Sequence, residues 1–234
     1  MNLINLINLN NMKNWPILII SAGIMTLSAC TQVKTDTFKI AGIPEELTWY
    51  NSPEKWEYDQ NNLNITAGKL TDLFIDPDGT FKAVNSPFTV FQPVDSFLLS
   101  CKVRVNFKSD YDAGVLIIYG QENQWVKLCF EFSPQHKPMV VSVVTNGISD
   151  DCNHVSIDTN VVYLRVAGLG ENIFSFHYSV DGNYWNMVRY FTLKDAKKVD
   201  VGFSSQSPTG EGCTAVFSEI NYKEKYLADI RSGE

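Results

Sequence analysis

The pattern of side chains predicts an all-β chain, two antiparallel sheets packed face to face as a jelly-roll sandwich. Three observations carry this. Apolar and polar residues alternate with period two over run after run, as on strands with one packed and one wet face. No segment keeps a helical period for three turns, and only residues 195–198 and 223–230 allow brief helices. Asn146-Gly147 and Asp181-Gly182, pairs that favour left-handed backbone angles, punctuate the runs as tight hairpins. Many short strands at regular spacing belong to packed sheets rather than to alternating strand–helix units.

The first segment reads differently from the rest. Lys13 precedes an apolar stretch, residues 17–27, that closes on Leu27-Ser28-Ala29-Cys30. A basic start, a short apolar core and small residues before a break make the layout of a secretory signal, too short to span a bilayer. The last four residues resemble the lipobox of bacterial lipoproteins, in which the cysteine is acylated and becomes the new N-terminus. The resemblance implies a signal peptide over 1–29, lipidation at Cys30 and a lipidated tether over 30–43. It also implies a place in the bacterial cell envelope, with the membrane as a partner through the acyl chains. Met12 is an alternative start to Met1.

The body of the domain is expected over 44–222, with a tail over 223–234. Residues 97–107 alternate, Leu99, Cys101, Val103, Val105 and Phe107 against Ser100, Lys102, Arg104 and Asn106. Residues 114–120 are nearly all apolar, as in a central strand. Residues 125–132 alternate again, Val126, Leu128, Phe130 and Phe132 against Trp125, Lys127, Cys129 and Glu131. Runs at 139–145, 161–167, 173–180, 184–191, 199–204 and 214–222 complete the series. Asp76-Pro77-Asp78-Gly79 is a turn. A hydrophobic share of 44% and an aromatic share of 12% supply a full core for one domain of about 200 residues.

Charge narrows the function. The net charge is −7, and −8 once residues 1–29 and their one charge, Lys13, are removed. Nucleic acid is not an expected partner, because its phosphates need a basic stripe that this chain lacks. Of the cysteines after Cys30, Cys101 and Cys129 sit in apolar strand patterns. Together with Cys152 and Cys213 they are expected reduced, or with at most one bridge. No cysteine–histidine cluster has zinc spacing, and no metal ligands are assigned.

A set of ordered motifs resembles one family. Leu47-Thr48-Trp49-Tyr50-Asn51-Ser52-Pro53, Asp72-Leu73-Phe74-Ile75-Asp76-Pro77-Asp78-Gly79, Trp125-Val126-Lys127-Leu128-Cys129-Phe130-Glu131 and Phe176-His177-Tyr178-Ser179-Val180-Asp181-Gly182 are among them. They are similar to an uncharacterised family grouped with the concanavalin A-like lectins and glucanases, one yeast member of which is named for regulating enolase. The match runs over roughly residues 45–222. It implies a concanavalin A-like sandwich whose ligand site lies on a concave sheet, in a superfamily of both binders and hydrolases.

The polar faces suggest the site. Trp125, Lys127 and Glu131 share one face, and Tyr163 and Arg165 share a face of a later strand, with His177 able to supplement them. If these faces belong to one sheet, they form a patch with a flat ring and fixed charges, the mixture that sugar recognition needs. The alternative is the ordinary solvated side of a sheet with its charges paired across strands. The leading expectation is therefore a membrane-anchored carbohydrate-binding sandwich. Its rivals are a glycoside hydrolase-like enzyme using Glu131 and/or Glu211, and a non-catalytic interaction module. A binder is expected to expose one or two aromatics among Trp49, Tyr119, Trp125 and Trp185. No cofactor is expected, with calcium the one candidate, since Asp76-x-Asp78-Gly79 opens like a calcium loop but has Pro87 where an EF-hand needs glutamate. Ser179-x-Asp181-Gly182-x-x-Trp185 resembles the hairpin of sialidase Asp-boxes, in which Asp and Trp hold a turn together.

Overall fold

A computed structural model describes residues 37–234, so the signal-like segment, Cys30 and the start of the tether lie outside the described residues. Seventeen strands follow in chain order: β1 (Thr37–Phe38), β2 (Leu47–Tyr50), β3 (Lys55–Asp59), β4 (Asn62–Gly68), β5 (Leu73–Ile75), β6 (Lys82–Val84), β7 (Phe88–Phe91), β8 (Ser96–Val105), β9 (Ala113–Gln121), β10 (Gln124–Phe132), β11 (Pro138–Asn146), β12 (Ile148–Ser156), β13 (Val161–Leu169), β14 (Ile173–Ser179), β15 (Asn186–Thr192), β16 (Asp200–Gln206) and β17 (Gly212–Lys223). No helix forms among the described residues, so neither brief helix allowed by the sequence is present. Residues 195–198 instead form a bend between β15 and β16, and 223 still belongs to β17.

The strands pair antiparallel into two large sheets. One runs β1-β2-β7-β16-β9-β10-β11-β12, the other β15-β14-β13-β8-β17-β4-β3, and a small hairpin pairs β5 with β6. This is the jelly-roll sandwich that alternation predicts. Leu99, Cys101, Val103 and Val105 of β8 face Leu116, Ile118, Val126, Leu128 and Phe130 of β9 and β10 across one core. Burying side chains of this size contributes about 1.5–3 kcal/mol each against their exposure. On β16, Gly202 is required by a close approach: a Cβ there would lie 1.9 Å from the Thr89 carbonyl oxygen on β7.

Both sheets are covered in part on their outer faces too. On the eight-stranded sheet the β5–β6 hairpin lies over a second apolar cluster, in which Leu73 packs with Val115, Ile117, Trp125, Cys129 and Val141. On the seven-stranded sheet Leu227, from the segment after β17, packs on Leu98 and Ala167. Residues 37–43, expected in the tether, join the sandwich: β1 pairs with β2, and Ile40 and Ile43 are buried in the main core. Two isolated isoleucines in a polar stretch give no periodic signal, which is why the sequence pattern places them outside.

Cys101, Cys129 and Cys213 are buried and Cys152 is exposed, and all four are free thiols. The Asn146-Gly147 pair turns β11 into β12, with Gly147 at φ 80°. In the Asp-box-like hairpin, Asp181 Oδ1 accepts the Asn183 and Tyr184 amides at 2.8 and 2.9 Å, and the Gly182 amide donates to Ser179 Oγ at 2.9 Å. Those backbone bonds hold the Asp181 carboxyl below its ordinary range. The motif builds a turn.

Candidate functional site

The alternation along β10 puts Trp125, Lys127, Cys129 and Glu131 on the outer side of the eight-stranded sheet. The register extends that side across neighbouring strands. Lys127 lies opposite Val143 of β11, which lies opposite Asp151 of β12; Glu131 lies opposite Ala113 of β9, which lies opposite Gln206 of β16. Over these rows opens a cavity of about 350 Å³, lined by Asp72, Lys127, Glu131, Asp151 and Gln206 together with Phe74, Phe81 and Tyr111.

Lys127 is its fixed point. The side chain is 3% exposed, and its ammonium donates to Asp72 Oδ1 at 2.8 Å and to Gln206 Oε1 at 2.9 Å. Burial alone pulls the ammonium down, yet the attraction of Asp72, with smaller help from Glu131, carries it above its usual value. Asp72 sits at the base of the hairpin, where its own main chain anchors the segment between β6 and β7. Its amide donates to Asn85 Oδ1 at 2.9 Å, and its carbonyl accepts the Asn85 and Ser86 amides. Asp72 Oδ1 also accepts the Leu73 amide at 2.7 Å. The ion pair therefore bolts the hairpin to the middle of the sheet.

Glu131, two residue pairs along the same face of β10, feels the same charge. Burial pushes its carboxyl up to about 8, against the opposing pull of Lys127. It is thus protonated at neutral pH and able to donate a hydrogen bond. Burial also raises Asp151, with Lys127 again opposing. The rim is built by two loops tied to each other. The Ser207 hydroxyl donates to Asp112 Oδ1 at 2.6 Å, Gln206 Nε2 to the Tyr111 carbonyl at 3.3 Å, and the Thr209 hydroxyl to the Asp110 carbonyl at 2.7 Å. Tyr111 and Phe81 stand on opposite loops at the rim, 39% and 48% exposed.

Two expectations are corrected here. Trp125 is fully buried beneath the hairpin, its indole N–H donating to the Leu73 carbonyl at 3.3 Å, so it is not an exposed platform. Trp185 is buried as well, and Trp49 and Tyr119 are only half-exposed; the aromatics at the cavity are Phe74, Phe81 and Tyr111. The single patch is also absent. Tyr163, Arg165 and His177 lie on β13 and β14 of the other sheet, so Glu131 and Arg165 occupy opposite layers. Alternation assigns a residue to a face, not to a sheet. Glu211 is exposed in the loop before β17 and does not line the cavity with Glu131.

Asp72, Gln206, Asp151 and Tyr111 escaped the sequence reading. Asp72 carried one available signal, a carboxylate directly ahead of an apolar Leu-Phe-Ile strand. The carboxylates of Asp76 and Asp78 accept the amides of Asp78 and Thr80, as the turn requires. Among the described residues no group of three metal-ligating side chains converges. A larger cleft, about 570 Å³, runs beside Tyr50 and Asp200, but its one ion pair leaves Lys198 more than half exposed. The buried ionisable groups gather at the smaller cavity.

Together these features define a two-sheet jelly-roll sandwich with an ion-paired cavity on one outer face. The chain belongs to the family described as "Protein of unknown function (DUF1349)", whose model matches residues 49–225. It is similar to Regulation of enolase protein 1 of Saccharomyces cerevisiae, 24% identical over 173 residues, which are 74% of this chain and 86% of that protein. A crystal structure of a functionally unknown S. cerevisiae protein superposes with a TM-score of 0.70 at 23% identity, over 76% of this chain and 96% of the other. The GH43 protein BlXynB of Bacillus licheniformis follows with 0.62 at 15% identity, over 76% of this chain and 37% of its own. At these identities the likeness is one of fold.

Glu131 gives the site a pH signature. Its carboxyl is harder to ionise folded than unfolded, so its contribution to stability is full below about pH 4.5 and is lost as pH rises through about 8. Glu131→Gln removes that loss. In melts from pH 4 to 9 the variant is expected to match wild type near pH 4 and to exceed it above pH 8 by several degrees, about 2–4 °C for each kcal/mol.

Proposed function

We propose that this protein is a carbohydrate-binding β-sandwich whose ligand occupies the cavity over Lys127 and Glu131. One observation carries the reading: a solvent-facing hollow combines exposed aromatic rims with charged groups already fixed by hydrogen bonds. Phe81 and Tyr111 offer flat faces to the C–H side of a pyranose. Glu131, neutral at pH 7, donates to a sugar oxygen, while Asp151 and Asp72 Oδ2 accept from hydroxyls. Because Lys127 is held by Asp72 and Gln206 before any ligand arrives, little ordering cost remains for binding.

A glycan-array screen of the full chain tests it. Phe81→Ala and Tyr111→Ala are each expected to weaken capture about tenfold while leaving the melting temperature near that of wild type. Absence of any glycan signal, or capture by both variants at the wild-type level, contradicts the proposal. A second reading, hydrolysis, is favoured by the raised Glu131 carboxyl in one cavity with the Asp72 and Asp151 carboxylates, since glycoside hydrolysis needs a protonated acid and a second carboxylate. Release of shortened product from a captured glycan, abolished in Glu131→Gln, separates it from binding alone.

The location is part of the same proposal. The lipobox-like sequence ending at Cys30 supports a lipid-anchored protein of the bacterial cell envelope, displaying the sandwich outside the cytosol on a short tether. Metabolic labelling with a fatty acid in a bacterial host is expected to mark the wild type and not Cys30→Ala, which should appear in the soluble fraction. Unlabelled wild type would contradict the anchor.

A further inference from the structure

The outer face of the seven-stranded sheet holds the remaining polar stripe. Tyr163 and Arg165 alternate along β13, Ser175 and His177 along β14, and Arg165 lies directly opposite His177. The segment after β17 folds over part of this face. His177 Nε2 donates to the Ile230 carbonyl at 2.8 Å, and Arg165 Nη1 donates to the Gly233 carbonyl at 2.6 Å. The Arg165 guanidinium is stacked 3.6 Å from the centre of the Trp185 ring, which is itself buried. It is a rigid, half-buried cation.

Among the described residues no carboxylate forms an ion pair with Arg165, and its Nε is buried with no acceptor. A desolvated charge in this state is normally matched by an anion or further hydrogen bonds. Burial lowers the guanidinium to about 10, still charged at neutral pH.

A cavity of about 280 Å³ opens beside it, lined also by Ser100, Tyr163, Asn221, Lys223 and Glu219. Glu219 is already committed: Lys102 reaches one oxygen at 3.2 Å and the Tyr163 hydroxyl the other at 3.0 Å. The uncommitted charges of the cavity are then Arg165 and Lys223, both positive, with the Ser100 hydroxyl and the Asn221 amide as neutral donors.

We propose that this pocket is a second binding site, separate from the cavity over Lys127, that takes a carboxylate-bearing ligand. The planar guanidinium presents parallel N–H groups that match a planar carboxylate, and its stacking on Trp185 fixes the fork in advance. Lys223 adds a mobile charge at the mouth. The carboxylate comes either from a sugar acid or from a simple organic acid.

Calorimetric titration of the full chain with glucuronate, acetate, glucose and sulfate tests the site. Glucuronate or acetate is expected to bind, with affinity falling as salt rises from about 50 to about 300 mM. Arg165→Gln is expected to lose roughly 10- to 100-fold, the range of a charge-assisted hydrogen bond, and Lys223→Gln roughly threefold. Glucuronate above acetate assigns the sugar acid, and equal affinities assign the bare carboxylate; both support the pocket. Glucose binding as tightly as glucuronate overturns it. So does sulfate binding more tightly than either carboxylate, or no carboxylate binding at all. If Arg165→Gln fails to fold, the exposed Lys223→Gln decides, and unchanged affinity there overturns the proposal. Phe81→Ala is expected to leave this titration untouched, which separates its failure from that of the Lys127 cavity.

Discussion

A buried ammonium governs the outer face of the eight-stranded sheet. Lys127 projects from the middle of β10 with its side chain almost wholly buried, and it is tolerable there only because Asp72 and Gln206 meet it. Asp72 is the first residue of the hairpin arm, so the same contact that neutralises the charge also sets the hairpin on the sheet. Trp125, Val115 and Val141 are sealed beneath that arm. The rim aromatics keep their separation for the same reason, since Phe81 rides on the hairpin and Tyr111 on a loop tied to β16. Glu131, buried on the same face, keeps its proton because the attraction of Lys127 does not offset its loss of water.

The sandwich itself explains why the polar stripes form two groups rather than one. Each strand gives one set of side chains to the shared core, so its other set must face away from the opposite sheet. Lys127 and Arg165 are therefore back to back, with the full thickness of the core between them. Each outer face has its own cover, the β5–β6 hairpin on one and the segment after β17 on the other. Partial cover desolvates a charge without removing it from solvent entirely. Both hollows arise where such a cover ends.

Much of the fold was legible from alternation. β8 and β10 follow their expected faces, and the Asn146-Gly147 hairpin joins β11 and β12. The family resemblance over residues 45–222 agrees with the match over 49–225. β12 was not legible, because an exposed edge strand such as Ile148–Ser156 carries polar residues on both sides. The site was legible by half. Lys127 and Glu131 stood out as charges on a strong strand, and Trp125 and Cys129 on the same side already signalled that this face is covered. What covers it could not be read, since Asp72 and Gln206 lie 55 and 79 residues away and reach Lys127 only through the fold. The placing of Arg165 beside Glu131 failed for a related reason: period two fixes sidedness and says nothing of partner sheet.

The most direct test is a double-mutant cycle on Lys127 and Asp72, read by denaturant unfolding of Lys127→Met, Asp72→Asn and the double variant. Lys127→Met alone is expected to cost about 3–5 kcal/mol by leaving Asp72 uncompensated. The double variant should cost less than the two singles together, by about 1–3 kcal/mol of coupling. Additive losses, or a Lys127→Met protein as stable as wild type, would contradict the claim that this ion pair organises the site.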